Sequence, residues 1–265
     1  MTQPASSPIT ALEFDFLWEL AEPGEVPYPL VRTSHGRTVG ERDQLRRTVL
    51  ADLARRGMLD GAGRVEPRLA GYLEILAGGE LTVDAVHIAE RGRKAVRVVA
   101  GALDGRGLLA VQDERGLWLK EIPHDGLASA VVSLLPPGER GTLRSVTMPV
   151  DELMTGAGVD FLQRKDPSGR QSPIDEDRKV LAQLHAEERV RGGQIGANVR
   201  TEVGTKARSP VLSWFDTVSG RYLTRASTGT DGREWITVAP ADAATLRERI
   251  NEMINGVQRA DREVV

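Results

Sequence analysis

Four histidines, His35, His87, His124 and His185, are the side chains best suited to hold a metal or move a proton near neutral pH. Their spacing suits neither task. No two stand four apart as a zinc-binding helix requires, and "HAEER" at His185 carries only half of the HExxH motif. His185 therefore reads as a solvated helix position. His87 alternates with Val86 and Ile88, which places it on a strand, with the exposed sheet face as its expected side. Asp175, Glu176 and Asp177 are close enough in sequence to pair as acid and base. They open a helix, however, where negative charge is favoured by the macrodipole. Gly101, Gly105 and Gly107 in "GALDGRGLL" miss the GxGxxG spacing and join strand to strand, so no helix N-terminus follows to cradle a phosphate. The chain has no cysteine, which removes thiolate nucleophiles, disulfides and Cys-based zinc sites. No P-loop, GxSxG or SxxK is present. The sequence points to no catalytic residue, no metal ligand and no cofactor.

The chemistry of recognition is better served. Trp118, Trp214 and Trp235 fall on predicted strands, where a core or sheet-face position is the ordinary reading. The alternative is a recognition surface, since Trp, Tyr and Arg dominate interface hot spots. Arg200, Arg221 and Arg225 flank Trp214 and Tyr222 on neighbouring strands. On that alternative the second half of the chain presents a mixed aromatic and guanidinium face, suited to a peptide or helix.

The elements that must position these residues are legible from periodicity. Thr10 and Glu13 form a capping-box pattern before a helix through "ALEFDFLWEL", and Pro23, Pro27 and Pro29 stop it. A second helix covers about 40–56, with Leu45, Val49, Leu50 and Leu53 as its stripe and Gly57 at its end. A third runs through "EPRLAGYLEILAG". The period then becomes alternating: "LTVDAVHIAE", "KAVRVVAGAL", "GLLAVQDE" and "LWLKEIP" read as a four-stranded meander, followed by the helix "HDGLASAVVSLL". The second half repeats the plan. A helix over 174–191 is closed by Gly192-Gly193. Strands follow at "QIGANVRTEV", "PVLSWFDT", "RYLTRAS" and "EWITVA", then the helix "ADAATLRERINEMI" and a tail expected to fray. A short strand or arm is expected at "RSVTMPV".

One junction occurs twice. "LWLKEIPHDGL" and "EWITVAPADAA" both contain Trp, four residues, Pro, one residue and Asp: Trp118, Pro123, Asp125 and Trp235, Pro240, Asp242. Each reads as the last strand of a meander, a Pro stop and an Asp that caps the next helix. The fold class expected is α+β: a central antiparallel sheet from two quasi-symmetric helix–meander–helix halves joined across a pseudo-twofold. The divisions are a disordered leader at 1–9, an N-terminal half at 10–163, a mobile linker at 164–173 and a C-terminal half at 174–265.

With 265 residues, 40% apolar and 28% charged, the chain can bury a core and lies far from disordered compositions. A net charge of −3 offers no basic field for a nucleic-acid backbone. No run approaches the roughly 18 apolar residues of a membrane span, and "MTQPASSPIT" lacks a signal-peptide pattern. A soluble, cytoplasmic protein with no membrane insertion is the expectation.

"FDFLWELAEPGEVPYPL", then "ERDQLRRTVLADLARRGMLDGAGRVEPRLAGYLEIL", then "LTVDAVHI" with its meander and helix, resembles the EspG family of ESX (type VII) secretion-associated proteins of actinobacteria. The likeness spans nearly the whole chain and is strongest over 10–155. It implies two quasi-symmetric halves with flanking helical bundles, and a cytosolic chaperone without enzymatic activity. The implied partner is a helical secretion substrate, a PE–PPE-like heterodimer, held at its aggregation-prone tip. Family contacts come from the loop after the first long strand, from the sheet and from the C-terminal helical region. The matching loop here is Glu90, Arg91, Gly92, Arg93 and Lys94, which is short. Affinity is then expected from the second meander, with Arg200, Trp214, Tyr222 and Arg225 as anchors. A small enzyme or ligand-binding regulator with a site on the sheet face is the alternative, and assembly as a homodimer is left open.

Overall fold

Thr10 starts the first helix as its residue type suggests. Its hydroxyl accepts from the Glu13 backbone N–H at 3.2 Å, and the Glu13 carboxylate accepts from the Thr10 N–H at 2.8 Å. The computed structural model describes residues 7–151, 173–200 and 206–264. Helix α1 (Ala11–Ala21) is followed by α2 (Val39–Arg55) and α3 (Pro67–Gly78). The first meander is β1 (Leu81–Ile88), β2 (Val96–Leu103), β3 (Arg106–Asp113) and β4 (Gly116–Ile122), and α4 (Leu127–Ser133) follows. After β5 (Val146–Pro149) come α5 (Pro173–Ala186), β6 (Arg191–Arg200), β7 (Lys206–Arg208), β8 (Leu212–Thr217), β9 (Gly220–Thr228), β10 (Glu234–Pro240) and α6 (Ala243–Val264). The expected leader, through residue 6, and the expected linker, except Pro173, lie outside the described residues.

All strands join one antiparallel sheet of order β4-β3-β2-β1-β6-β8-β9-β10-β5, with β7 beside β6 in line with β8. The two meanders meet at the β1–β6 ladder, where Leu81 pairs with Val199 and Ile88 with Gly192. Helices α4 and α6 share one face of the sheet. Val131 and Val132 of α4 and Leu246, Ile250 and Met253 of α6 pack with Val83, Val98, Ile195 and Leu212 in one core. The opposite face is covered in two separate places. Helices α1–α3 lie over Val99, Leu108, Ala110 and Leu117, while α5 lies over Phe215, Tyr222 and Val238. Corresponding helices of the halves thus leave the sheet on the same side. This is what a pseudo-twofold normal to the sheet, between β1 and β6, requires. Trp118 and Trp235 occupy fourth strands of their meanders and, by register with Val111 and with the phase of Ala239 against Leu223, face the α4–α6 side.

Three expectations are corrected. Asp125 does not cap α4. Gly126 occupies the cap position without a side-chain bond, because a turn from Pro123 inserts one more residue than the Pro240 junction has. Asp242 does cap α6, accepting from the Thr245 N–H at 2.7 Å. Helix α5 ends at Ala186, and Gly192-Gly193 lie inside β6 rather than closing the helix. A Cβ at Gly193 would stand 2.5 Å from the Val86 carbonyl and one at Gly192 2.8 Å from the Trp214 carbonyl, so close strand approach selects glycine there. The final helix runs through the expected frayed tail to Val264, because Val257 extends its buried stripe.

Candidate functional site

Between the two covered regions, the sheet face opposite α4 and α6 carries a groove of about 730 Å³. Its floor follows from strand parity. On β1, Val83 and Ala85 point toward α6, so Val86 and Ile88 face the open side, where Ile88 lines the groove. Register carries that face across β6, β8 and β9: Val86 stands opposite Gln194, Gln194 opposite Ser213, and Ser213 opposite Thr224. The next row is Ile88, Gly192, Phe215 and Tyr222. Gly192 and Gly196 lie on this same face of β6; Gly192 leaves the groove without a side chain at that position, while the space over Gly196 is filled by the Arg208 guanidinium. Ile88 is 44% exposed and Val190 48%, an apolar rim open to solvent.

The segment between α5 and β6 forms the far wall. Glu187 accepts from the Ser219 hydroxyl at 2.6 Å, and these bonds hold its carboxyl below the usual range. Glu188 pairs with Arg91 of the β1–β2 turn. The Arg189 guanidinium lies 4.6 Å from the Phe215 ring centre, and the Val190 N–H donates to the Asp216 carbonyl at 2.9 Å. The other end of the β1–β6 ladder is closed by a polar network. Arg208 donates to Asp84 at 2.9 Å and to the Asn198 amide oxygen at 2.8 Å, and Asn198 donates to Asp84 at 2.8 Å. Among the described residues no three His, Asp or Glu side chains gather into a metal-binding group, and no helix is long and apolar enough to cross a membrane.

The residues singled out from the sequence are distributed unevenly. Of the turn Glu90 to Lys94, Arg91 and Gly92 line the groove, and Arg93 pairs with Glu90 at 3.5 Å. Trp214 borders the groove through its strand, but it is 1% exposed and its ring lies in the α4–α6 core. Tyr222 is also 1% exposed, stacked on Phe215 under α5. Neither is a surface anchor, which corrects that expectation. Alternation puts Leu212 and Trp214 on the helix-covered face, and α5 covers Tyr222 from the other side. Arg225 points away from the groove toward Glu252 of α6, 3.8 Å away. Arg200 donates to the Ala77 carbonyl at 2.8 Å, at the closed end of the ladder. His87 is 3% exposed on the α6 side, not on the open face; its ring meets that of Trp214 at 6.2 Å across Gly193, and burial pushes its pKa down. Ile88, Val190, Gln194 and Arg189 were not singled out. The signal available was parity: Val86 and Ile88 share one face of β1, as Gly192, Gln194 and Gly196 share one face of β6.

Two helix–meander–helix halves around one antiparallel sheet, left open over their seam on one face by the described residues, define a duplicated α+β protein with a surface groove. The chain belongs to the EspG family, whose model matches residues 10–252. Over 118 residues it is 29% identical to the ESX-1 secretion-associated protein EspG1 of Mycolicibacterium smegmatis strains ATCC 700084 / mc(2)155 and MKD8. That stretch covers 41% of this chain and 42% of each relative's length. The fold is similar to that in the solved structure of the Mycobacterium tuberculosis type VII secretion system chaperone EspG5 in complex with a PE25-PPE41 dimer. The TM-score is 0.68 at 14% identity, covering 94% of this chain and 95% of that one.

Proposed function

We propose that the chain is a cytosolic chaperone or adaptor that holds helical type VII secretion substrates, PE–PPE-like heterodimers, soluble for export, and that the groove is where it holds them. In this reading the chain acts by binding and carries no catalytic step. Residues 10–163 and 174–265 act as two halves of one binding unit. The observation that carries the reading is the groove itself: an open stretch of sheet, with exposed Ile88 and Val190 at its rim, in a family member whose fold matches a chaperone solved with such a dimer. A half-covered antiparallel sheet here sets an exposed apolar rim, Ile88 and Val190, beside a floor that includes Gln194, Ser213 and Thr224, a mixed surface that suits the apolar tip of a helical pair with polar flanks.

The test is co-expression of the full chain with each PE–PPE-type pair encoded by its host, followed by affinity capture and gel filtration. Ile88→Asp and Val190→Asp place a charge on the rim. Val218→Asp makes the same change at an 84% exposed turn residue outside the groove. The rim variants are expected to weaken capture at least about thirtyfold, the value of a central contact worth about 2 kcal/mol, and the turn variant to leave it unchanged. Equal capture by all three would move the binding surface elsewhere. Failure of the wild type to hold any such pair would reject the chaperone reading.

A further inference from the structure

We infer that the groove selects a partner helix carrying carboxylates on both flanks of its apolar ridge, an inference that rests on the docking role proposed above. The rim carboxylates are already engaged: Glu188 by Arg91, Glu187 by Ser219, and Glu90 by Arg93. Two guanidinia are not. Arg189 is exposed and lies on the Phe215 ring, and no carboxylate among the described residues pairs with it. Arg97 of β2 stands opposite Val86 in the groove row and opposite the buried Gln112 on its other side, again without a carboxylate partner among the described residues. Gln112 is committed to Val31, with whose N–H and carbonyl it makes bonds of 2.8 and 2.7 Å, so it does not serve Arg97.

Their separation fits one helix. From β2 through β1 and β6 to β8, beneath Arg189, are three strand steps, about 14 Å at the usual spacing. A helix with its side chains is about 10–12 Å across. A helix lying over Val86 and Gln194 therefore has a guanidinium on each side. Arg189 is held in place by its stack on Phe215, so little side-chain freedom remains to be lost when it accepts a carboxylate. A basic flank would meet two cations in a partly desolvated groove and be rejected, so the same pair of residues discriminates as well as attracts.

The probe is a designed helical hairpin with a leucine-rich tip, made in three versions that differ only in carrying Glu, Gln or Lys at the two flanking positions. Binding to the full chain is measured by fluorescence anisotropy at low and moderate salt. The Glu version is expected to bind about tenfold tighter than the Gln version at low salt, less so at moderate salt, and the Lys version weakest. The double variant Arg97→Gln, Arg189→Gln, confirmed as folded by its melting curve, is expected to bind the Glu and Gln versions equally. If Glu and Gln versions bind the wild type equally, charge selection is refuted and the apolar groove stands. If Lys is preferred, the sign is wrong. If none of the three binds, charge selection falls together with the docking role of the groove.

Discussion

Replacing Trp214 by alanine is expected to damage the fold, not a binding surface. The indole is almost completely buried, with the His87 ring at 6.2 Å, the Arg221 guanidinium 4.6 Å from its centre, and the α4–α6 core beneath. Truncating a buried Trp ordinarily costs about 3–5 kcal/mol through lost burial and the cavity left behind. Two local terms modify this. The loss of the Arg221 contact adds up to about 1 kcal/mol. Against that, the Trp214 Nε1–H is buried and finds no acceptor among the described residues, and removing such a donor returns about 1 kcal/mol or more. The two roughly cancel, leaving about 3–5 kcal/mol, a large part of the stability of an ordinary domain. Trp214→Phe keeps an aromatic ring over Gly193 and removes the unpaired donor, so it is expected to cost less than about 1.5 kcal/mol. Urea titration followed by far-UV circular dichroism, with the slope checked for constancy, measures both variants. Melting of the alanine variant should fall by about 10 °C. An alanine variant within about 1 kcal/mol of wild type that nevertheless loses its partner would refute this placement of the ring.

The duplicated junction gives a paired test: Asp242→Ala should cost about 0.5–2 kcal/mol because a working cap is lost, and Asp125→Ala should stay within about 0.5 kcal/mol in the same urea titration. Acid should destabilise the protein through Asp15. Burial pushes its carboxyl up, but bonds from Arg42 and the His35 N–H outweigh this and hold it below the ordinary value of 3.8. The stabilisation is therefore complete above the unfolded value and is lost as pH falls through the folded one. Urea midpoints between pH 5 and 2.5 should fall more steeply for wild type than for Asp15→Asn, and parallel curves would exclude this carboxyl as a source of the acid limb.

Local chemistry made much of the architecture readable. Thr10 and Glu13 cap as a pair, Pro67 opens α3, and the alternation in each meander places every strand but β7, whose three residues pair only with the end of β6. What alternation leaves undecided is which face becomes covered. In "LSWF", Leu212 and Trp214 form one apolar phase and Phe215 belongs to the other. In "AVHI", His87 is the polar member between two apolar residues, yet it is buried while Ile88 is exposed. The decision is made by α5 and α6, which lie far from these strands in sequence or arrive after them, so a polar-out rule applied to a strand alone chose the wrong side. The glycines of β6 misled for a related reason. Gly192 and Gly193 carry ordinary helix-stop chemistry in sequence, but their purpose depends on the approach of Val86 and Trp214 from two neighbouring strands.

The position of the groove follows from the duplication. A twofold normal to the sheet keeps each half's helices on the face where its counterpart's lie, so α3 and α5 cover the same side of the sheet. Each packs against its own meander: α1–α3 over β2, β3 and β4, and α5 over β8, β9 and β10. The seam strands β1 and β6 belong to the covered area of neither. On the opposite face α4 and α6 pack with each other as well as with the sheet and close over the seam. Among the described residues one face is consequently covered over the seam and the other left open along its middle. The open stretch is then divided by composition. Asp84, Asn198 and Arg208 fill one end with a satisfied polar network, while Ile88 and Gly192 leave the other end open and partly apolar. A single helix–meander–helix unit has no such seam, and the groove exists because two of them share one sheet.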